Sequence, residues 1–328
     1  MQRSIMTFIF PKTCSPECKK ILAALFYGLM SFFITVVNKT VLTSYKFPSF
    51  IMLGIGQMTT TVVVLYAARQ LNILSFPALE NGTLAKVFPL PLLYAANMFT
   101  GLGGTQQISL PMLTALRRFS ILMTMILEYF ILRQIASCTI QMSVFAMVFG
   151  AVIAASNDLS FNVSGYSLLL FNDLFTALNS VVMKKKLDAK ELGKWGLLFY
   201  NSLFMLPIAC ALAFITGDIE KAVAYDGWRD IAFLIQFSLS CLMGFLLQYS
   251  TVLCTQLNSA LTTTVIGCLK NIAVTYLGMF IGGDYIFNLA NFVGLNISIV
   301  GSLVYTWVTF RVKEETLPVY ASLPTTEK

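Results

Sequence analysis

The 328-residue chain is 57% hydrophobic and 11% charged, with mean hydropathy +0.77 and a formal net charge of +7. A soluble domain carries about 25% charged residues, and disorder needs low hydrophobicity with high charge, so both classes are excluded. Histidine is absent, which removes Ser-His-Asp hydrolysis, His-ligated zinc and His proton relays. The seven cysteines form no CxxC pair, so neither a disulfide framework nor a metal knuckle is indicated and no cofactor is expected. Cys14 and Cys18 sit around Pro16 in the basic N-terminal tail; palmitoylation is one reading there and inert thiols the plainer one.

A helix crossing ~30 Å of hydrocarbon needs ~20 mostly apolar residues. Ten stretches approach this length: 20–37, 50–68, 87–104, 110–132, 138–155, 166–183, 196–215, 231–252, 260–281 and 289–310. They predict an all-α membrane protein of ten transmembrane helices. Residues 1–19 form a tail without an apolar segment and cleavage site, so the first span reads as an uncleaved anchor. With an even number of spans both tails share a side. That side carries 15 Lys and Arg, including Lys184-Lys185-Lys186, against four opposite, namely Lys39, Lys46, Lys221 and Arg229. Cytosolic loops are enriched in both residues, so both termini are predicted cytosolic. The lysine run reads first as topology and second as a lipid-headgroup patch. Asn38-Lys39-Thr40 and Asn162-Val163-Ser164 are then sequons on the luminal side, close to the membrane.

Five spans plus five is the simplest division: a tail 1–19, a first five-helix repeat 20–155, a second 166–310, and a tail 311–328. Five is odd, so the second repeat is inverted relative to the first. Leu116-Arg117 echoes Leu269-Lys270, Phe149-Gly150-Ala151-Val152 echoes Val300-Gly301-Ser302-Leu303, and Gly56-Gln57 stands where Tyr200-Asn201 stands. An inverted repeat is the architecture of many secondary transporters, with substrate held near the midplane.

Three cations lie inside the spans, Arg117, Arg118 and Lys270. A cation at the bilayer centre costs several kcal/mol or more and persists only against a partner or a wet cavity. Lys270 is ten residues into its span, ~15 Å deep; Arg117 and Arg118 are roughly 10–12 Å deep from the other face. The inverted relation of the two spans brings these cations toward one cavity. Asp173 and Glu128 are the acids within spans, leaving a surplus of one positive charge. Glu128 lies near the cytosolic end, where it can snorkel or meet Arg133. One of the arginines is expected to pair with Asp173 or a backbone carbonyl. A surplus of Arg and Lys in a wet pocket selects an anion, and both suit phosphate. The candidate polar lining is Tyr27, Asn38, Gln57, Asn97, Tyr200, Asn201, Ser202, Thr262, Thr263 and Asn271. These can hydrogen-bond a base, a ribose or a sugar; the same residue types also bind helix to helix in membranes.

Two motifs give the pattern a family. Phe199-Tyr200-Asn201-Ser202 resembles the FYN-type motif of the nucleotide-sugar transporters, and Gly267-Cys268-Leu269-Lys270-Asn271 resembles their G-x-x-K-N motif. Further stretches resemble the branch carrying UDP-N-acetylglucosamine and UDP-glucuronate: Phe88 to Tyr94, Leu116 to Ser120, Glu191 to Lys194, Asn258 to Thr263, and Gly282 to Phe287. The resemblance runs from about residue 20 to 310. It implies a ten-helix drug/metabolite-transporter fold in the Golgi membrane, or that of the endoplasmic reticulum. It also implies exchange of a cytosolic nucleotide sugar, UDP-N-acetylgalactosamine being a further candidate, for luminal UMP. By matching motifs, Tyr200 and Asn201 face the nucleoside, Gly267 allows close approach, and Lys270 and Asn271 hold phosphate or sugar. The GDP-mannose branch has Asn where this chain has Ser202, and Asn-Lys where this chain has Lys270-Asn271; both differences favour uridine over guanine.

A UDP-sugar and a nucleoside monophosphate each carry about two negative charges near neutral pH, so one cationic cavity can accept either. The empty pocket, with cations desolvated, should cross reluctantly, which couples the two fluxes. The nearest alternative is an exchanger of the same fold for GDP-sugars or for triose or pentose phosphates. A membrane-embedded transferase is a second, but no paired carboxylates supply its acid–base or metal chemistry; an enzyme is not expected. The lipid bilayer is the medium, nucleic acid is not an expected partner, and a homodimer is one candidate assembly.

Overall fold

The computed structural model describes residues 15–107, 116–155, 163–281 and 289–311, and of 99, 102–107, 154–155, 271–281, 289–291, 295 and 311 only the backbone. Several expectations therefore lie outside the described residues: the tail cations Arg3 and Lys12, Cys14, the sequon residue Asn162, the Asn271 side chain, the Gly282-to-Phe287 motif and the tail beyond Arg311.

Among the described residues the secondary structure is helical. Among the described residues a helix of nine residues or more falls in each predicted stretch: α1 (Pro16–Lys39), α2 (Phe50–Gln70), α3 (Leu90–Gln107), α4 (Phe119–Leu127), α5 (Cys138–Ala155), α6 (Val163–Ala189), α7 (Gly193–Ile215), α8 (Ile231–Leu257), α9 (Ala260–Ile281) and α10 (Leu289–Arg311). Six described segments are long and apolar enough to cross a membrane: Pro16–Ser44, Phe50–Gln70, Val163–Ala189, Gly193–Ile215, Ile231–Leu257 and Phe292–Phe310. Shorter apolar segments run over Phe119–Leu132, Cys138–Ile153 and Ala260–Lys270. Local chemistry sets the ends. Ser15 caps α1 by accepting the Cys18 N–H at 3.2 Å, with Pro16 at the first position. Ser49 caps α2 by accepting the Met52 N–H, and Asp230 caps α8 by accepting the Ala232 N–H. α1 and α4 each run on into one π-helical turn, Thr40–Ser44 and Glu128–Leu132.

The helices gather into two compact units. One takes the residues up to Ala96 with Lys186–Ser259; the other takes Asn97–Lys185 with the residues from Ala260 onward. Each unit therefore draws helices from both halves of the chain.

In the first unit α8 packs on α1 and α2, and α7 packs on α2. Gly244 lets α8 come so near α2 that a β-carbon there would lie 2.5 Å from the Gln57 side chain. Gln57 is fixed in turn: its Nε2 donates to Asn38 Oδ1 at 3.2 Å and to Ser240 Oγ at 3.1 Å, while Ser240 donates to the same Asn38 oxygen at 2.6 Å. Asn38, the sequon residue, thus sits inside a helix with its amide oxygen taken. At one end of the unit Phe47, Tyr225, Trp228, Phe233 and Phe237 form an aromatic cluster. Beside it Ser49 donates to Asp218 at 2.9 Å, and Lys221 pairs with the same carboxylate at 3.1 Å.

In the second unit α5 and α10 make the most extensive pairing among the described helices, and α9 packs on α4. Ile121, Val144, Met147, Val265 and Tyr305 build its core. The outer faces are as apolar as the interior: Met142, Phe145 and Phe149 on α5 and Val300, Leu303 and Trp307 on α10 are all exposed, as suits a hydrocarbon solvent.

Glu128, expected to snorkel or to meet Arg133, is buried and accepts the Leu261 N–H at 2.9 Å, at the start of α9. A carboxylate at that position satisfies an otherwise orphaned donor and complements the positive helix end. Replacing Glu128 by alanine is expected to cost about 1–2 kcal/mol of stability. Glutamine keeps an acceptor and should cost less than half as much. Thermal unfolding followed through reaction of the buried thiols Cys241, Cys254 and Cys268 measures both.

Candidate substrate site

The predicted site residues divide between the units. Asn97, Arg117, Arg118, Thr263, Gly267 and Lys270 belong to the second; Tyr27, Tyr200, Asn201 and Ser202 belong to the first.

In the second unit the cations gather where α4 begins. Leu116 is helical, the chain turns at Arg117 and Arg118, and α4 starts at Phe119 with Arg118 in the N-cap position. The Arg117 carbonyl accepts the Ser120 hydroxyl at 2.6 Å, which holds the turn. It also receives the Cys268 thiol of α9 at 3.9 Å, two residues before Lys270. On the other side Leu116 and Phe119 pack with Leu169 and Tyr166 of α6, one turn before Asp173. Backbone geometry thus brackets Arg117 between the two helices that carry Lys270 and Asp173. The electrostatics agree: the charge of Arg117 acts on both Asp173 and Lys270. A helix start adds partial positive charge from its open N–H groups, so the turn is positive by backbone and by side chain.

The burial of these groups differs. Arg118 is 1% exposed, while Arg117 and Lys270 are half-buried. Arg117 Nε is buried without a hydrogen-bond partner among the described residues, and so is Asp173 Oδ2. Asp173 itself is 2% exposed. Thr263 is buried four residues from Gly267, beside Thr262, whose hydroxyl lies 3.0 Å from that of Tyr305. Thr264 approaches Thr124 of α4 at 3.4 Å.

Asn97 has a different surrounding. Its amide donates to the Asn172 carbonyl at 3.0 Å and to Thr176, and Asn172 returns a bond to the Asn97 carbonyl at 2.6 Å. This reciprocal clamp ties α3 to α6.

In the first unit Tyr200 is fully buried and its hydroxyl donates to the Pro77 carbonyl at 2.7 Å. Phe76 packs against Phe199 with ring centres 4.9 Å apart and planes tilted by 35°, and Arg69 lies 4.9 Å from the Phe76 ring centre. The loop around Pro77 is therefore strapped to α7 through the aromatic pair of the FYN-type motif. Ser202 is fully buried and donates to Gln248 Oε1 at 2.9 Å. Asn201, between them, has its Oδ1 buried without a partner among the described residues. Below it Trp195 stacks flat on Tyr249 at 4.8 Å, with the Lys194 ammonium 5.0 Å from the indole.

Sequence reasoning missed Asn172, Gln248 and the Trp195–Tyr249 stack. The first two had a signal: each is an amide in an apolar stretch, where a buried polar group needs a partner.

The signature of the Triose-phosphate Transporter family spans residues 19–306. The chain is 59% identical over 295 residues to UDP-sugar transporter UST74c of Drosophila melanogaster, covering 90% of this chain and 79% of that one. It is 50% identical over 300 residues to nucleotide sugar transporter SLC35D2 of Homo sapiens, covering 92% and 89%. It is 51% identical over 315 residues to UDP-sugar transporter sqv-7 of Caenorhabditis elegans, covering 95% of each. A crystal structure 12% identical in sequence has the same fold, with a TM-score of 0.59 over 89% of this chain and 98% of that one.

Proposed function

We propose that this chain, which belongs to the Triose-phosphate Transporter family and is a nucleotide-sugar transporter, carries UDP-sugars from the cytosol into the Golgi lumen in exchange for UMP. UDP-N-acetylglucosamine and UDP-glucuronate are the proposed cargoes, with UDP-N-acetylgalactosamine a third. The endoplasmic reticulum is the alternative membrane, and the lysine and arginine distribution supports cytosolic tails at both ends.

The observation that carries this reading is the positive cluster at the α4 start. Among the described residues the charge of Arg117 acts on Lys270 and on the carboxylate Asp173, while Glu128 accepts the Leu261 N–H of α9. Cations held in a membrane interior need an anion, and a diphosphate supplies two charges in the geometry that Arg and Lys both bind. Lys270 and Arg117 would take the phosphates, Asn271 and Thr263 the sugar side, and Gly267 would allow close approach. By its motif Asn201 is the proposed nucleoside residue, and its Oδ1 is buried without a partner among the described residues. Tyr200 and Ser202 shape its surroundings through their bonds to Pro77 and Gln248. Ten spans in two inverted five-helix repeats, 20–155 and 166–310, with alternating access about this cluster, complete the proposal.

Counterflow tests it. Proteoliposomes loaded with UMP, GMP or CMP are given UDP-, GDP- or CMP-sugars outside. The expected result is uptake of UDP-N-acetylglucosamine and UDP-glucuronate driven by internal UMP, at least about tenfold above empty vesicles. Uptake of GDP-sugars against GMP, or of triose phosphates against inorganic phosphate, would overturn the uridine assignment.

A further inference from the structure

Three helices of the first unit meet at a hydrogen-bonded triad that takes no part in the exchange as described so far. Asn38 lies one turn from the buried Ile34 and Val41, and Gln57 one turn from the buried Leu53 and Thr61, so both face inward. Ser240 of α8 is fully buried and joins them. Gln57 Nε2 donates to Ser240 Oγ at 3.1 Å and to Asn38 Oδ1 at 3.2 Å, and Ser240 donates to the same Asn38 oxygen at 2.6 Å. Two primary amides that face each other can exchange two hydrogen bonds, one in each direction. Here one direction is used. Asn38 Nδ2 and Gln57 Oε1 make no hydrogen bond among the described residues, and neither atom is sealed from solvent. One rigid pair thus carries an unused donor and an unused acceptor, inside an apolar bundle where such atoms call for a partner.

Ser240, Gly244 and Gln248 follow one another at four-residue intervals on one face of α8. Gly244 leaves room for the Gln57 side chain, and Gln248 accepts the Ser202 hydroxyl of the FYN-type motif. The half-used amide pair and the motif therefore meet the same helix face eight residues apart, or ~12 Å. That spacing suits the two ends of a nucleoside diphosphate sugar. We propose that Asn38 and Gln57 read one hydroxyl of the cargo's sugar, which accepts from Asn38 Nδ2 and donates to Gln57 Oε1. The proposal rests on the UDP-sugar exchange argued above. A hydroxyl is donor and acceptor at a single atom, which is what the pair lacks on each side. A phosphate or a carboxylate only accepts and would leave Gln57 Oε1 unpaired. UMP carries no such sugar, so the pair distinguishes the two cargoes of the exchange and has no part in holding UMP.

Asn38→Asp keeps the oxygen that Gln57 and Ser240 bind and removes the Nδ2 donor. It should raise the KM for UDP-N-acetylglucosamine about tenfold, the effect of a group left without its hydrogen-bond partner. UMP-induced thermal stabilisation in detergent should stay as in the unaltered protein. Analogues of UDP-N-acetylglucosamine that each lack one sugar hydroxyl identify the group that is read. In the unaltered protein one of them should compete about tenfold less well than the parent compound; in Asn38→Asp that analogue and the parent should compete equally. Gln57→Leu removes the acceptor without adding charge and gives the same comparison if Asn38→Asp does not fold. Equal weakening of UMP and of UDP-N-acetylglucosamine would overturn the sugar role, by making the pair structural. So would an unchanged KM, or a full penalty for the missing hydroxyl in either folded variant, because the open end then belongs to water. Failure of the unaltered protein to exchange UDP-sugars for UMP would instead strike the proposed function.

Discussion

Lys270→Ala is expected to reduce UDP-sugar counterflow about 100-fold or more while leaving the fold intact. Truncating one member of a desolvated charge pair removes about 2–5 kcal/mol of binding, and each 1.4 kcal/mol is tenfold. Stability should move the other way. Lys270 is half-buried in α9 and is repelled by Arg117, so the empty protein carries it at a cost. Removing it relieves both the desolvation and the repulsion, and the unfolding temperature should stay level or rise. That combination, lost function with undiminished stability, distinguishes a ligand from a structural lysine. Lys270→Arg retains the charge and should recover part of the uptake, limited by the different shape of the guanidinium. Uptake in Lys270→Ala equal to that of the unaltered protein would mean that the phosphate is held elsewhere. A collapse of thermal stability would mean that the lysine is a packing element.

Much of the architecture could be read before any coordinates. The bilayer imposes a length, and each of the ten apolar stretches carries a helix. Arg117 and Lys270 could be singled out because a cation in such a stretch demands an explanation. Other features were hidden for identifiable reasons. That α1 and α2 join α7 and α8 in one unit, and α4 and α5 join α9 and α10 in another, follows from packing between distant segments, to which periodicity is blind. Asn97 and Asn38 were ambiguous between lining and helix contact. Asn97 bonds across to Asn172, and Asn38 to Gln57 and Ser240. Residue type alone cannot separate the two uses, because both require the same hydrogen bonds. Glu128 lay near Arg133 in the chain, but the π-helical turn Glu128–Leu132 and the left-handed Arg133 end the helix there. The carboxylate takes the Leu261 N–H instead. Tyr200 looked like a nucleoside contact by motif; its hydroxyl is given to Pro77, a bond that needs the loop's path to foresee.

Alanine at three glycines is expected to give three different outcomes, and the first is the second large effect. At Gly150 on α5 a β-carbon would stand 2.5 Å from the Gly294 carbonyl oxygen and 2.8 Å from the Ser298 nitrogen, both backbone atoms of α10. No rotamer change relieves that contact, so α5 and α10 must part along the most extensive pairing of the unit's described helices. In a membrane, where association rests on packing rather than on a hydrophobic drive, overpacking of about 1–3 kcal/mol or more follows. Gly150→Leu should fail to accumulate as folded protein. At Gly244 the obstacle is the Gln57 side chain at 2.5 Å. Its Cγ can turn away only by giving up the bonds to Asn38 and Ser240, and its Cβ, also at 2.5 Å, can move only with the α2 backbone. Gly244→Ala should therefore cost about 1–2 kcal/mol, overpacking that the side chain relieves only in part. At Gly54 on α2 nothing lies within 4 Å, and alanine is the better helix former by up to ~1 kcal/mol. Gly54→Ala should raise the unfolding temperature. Thermal unfolding of the three alanine variants in one detergent gives the order Gly54→Ala, unaltered, Gly244→Ala, Gly150→Ala, from most to least stable. A Gly150→Ala protein as stable as the unaltered chain would show that α5 and α10 do not approach so closely.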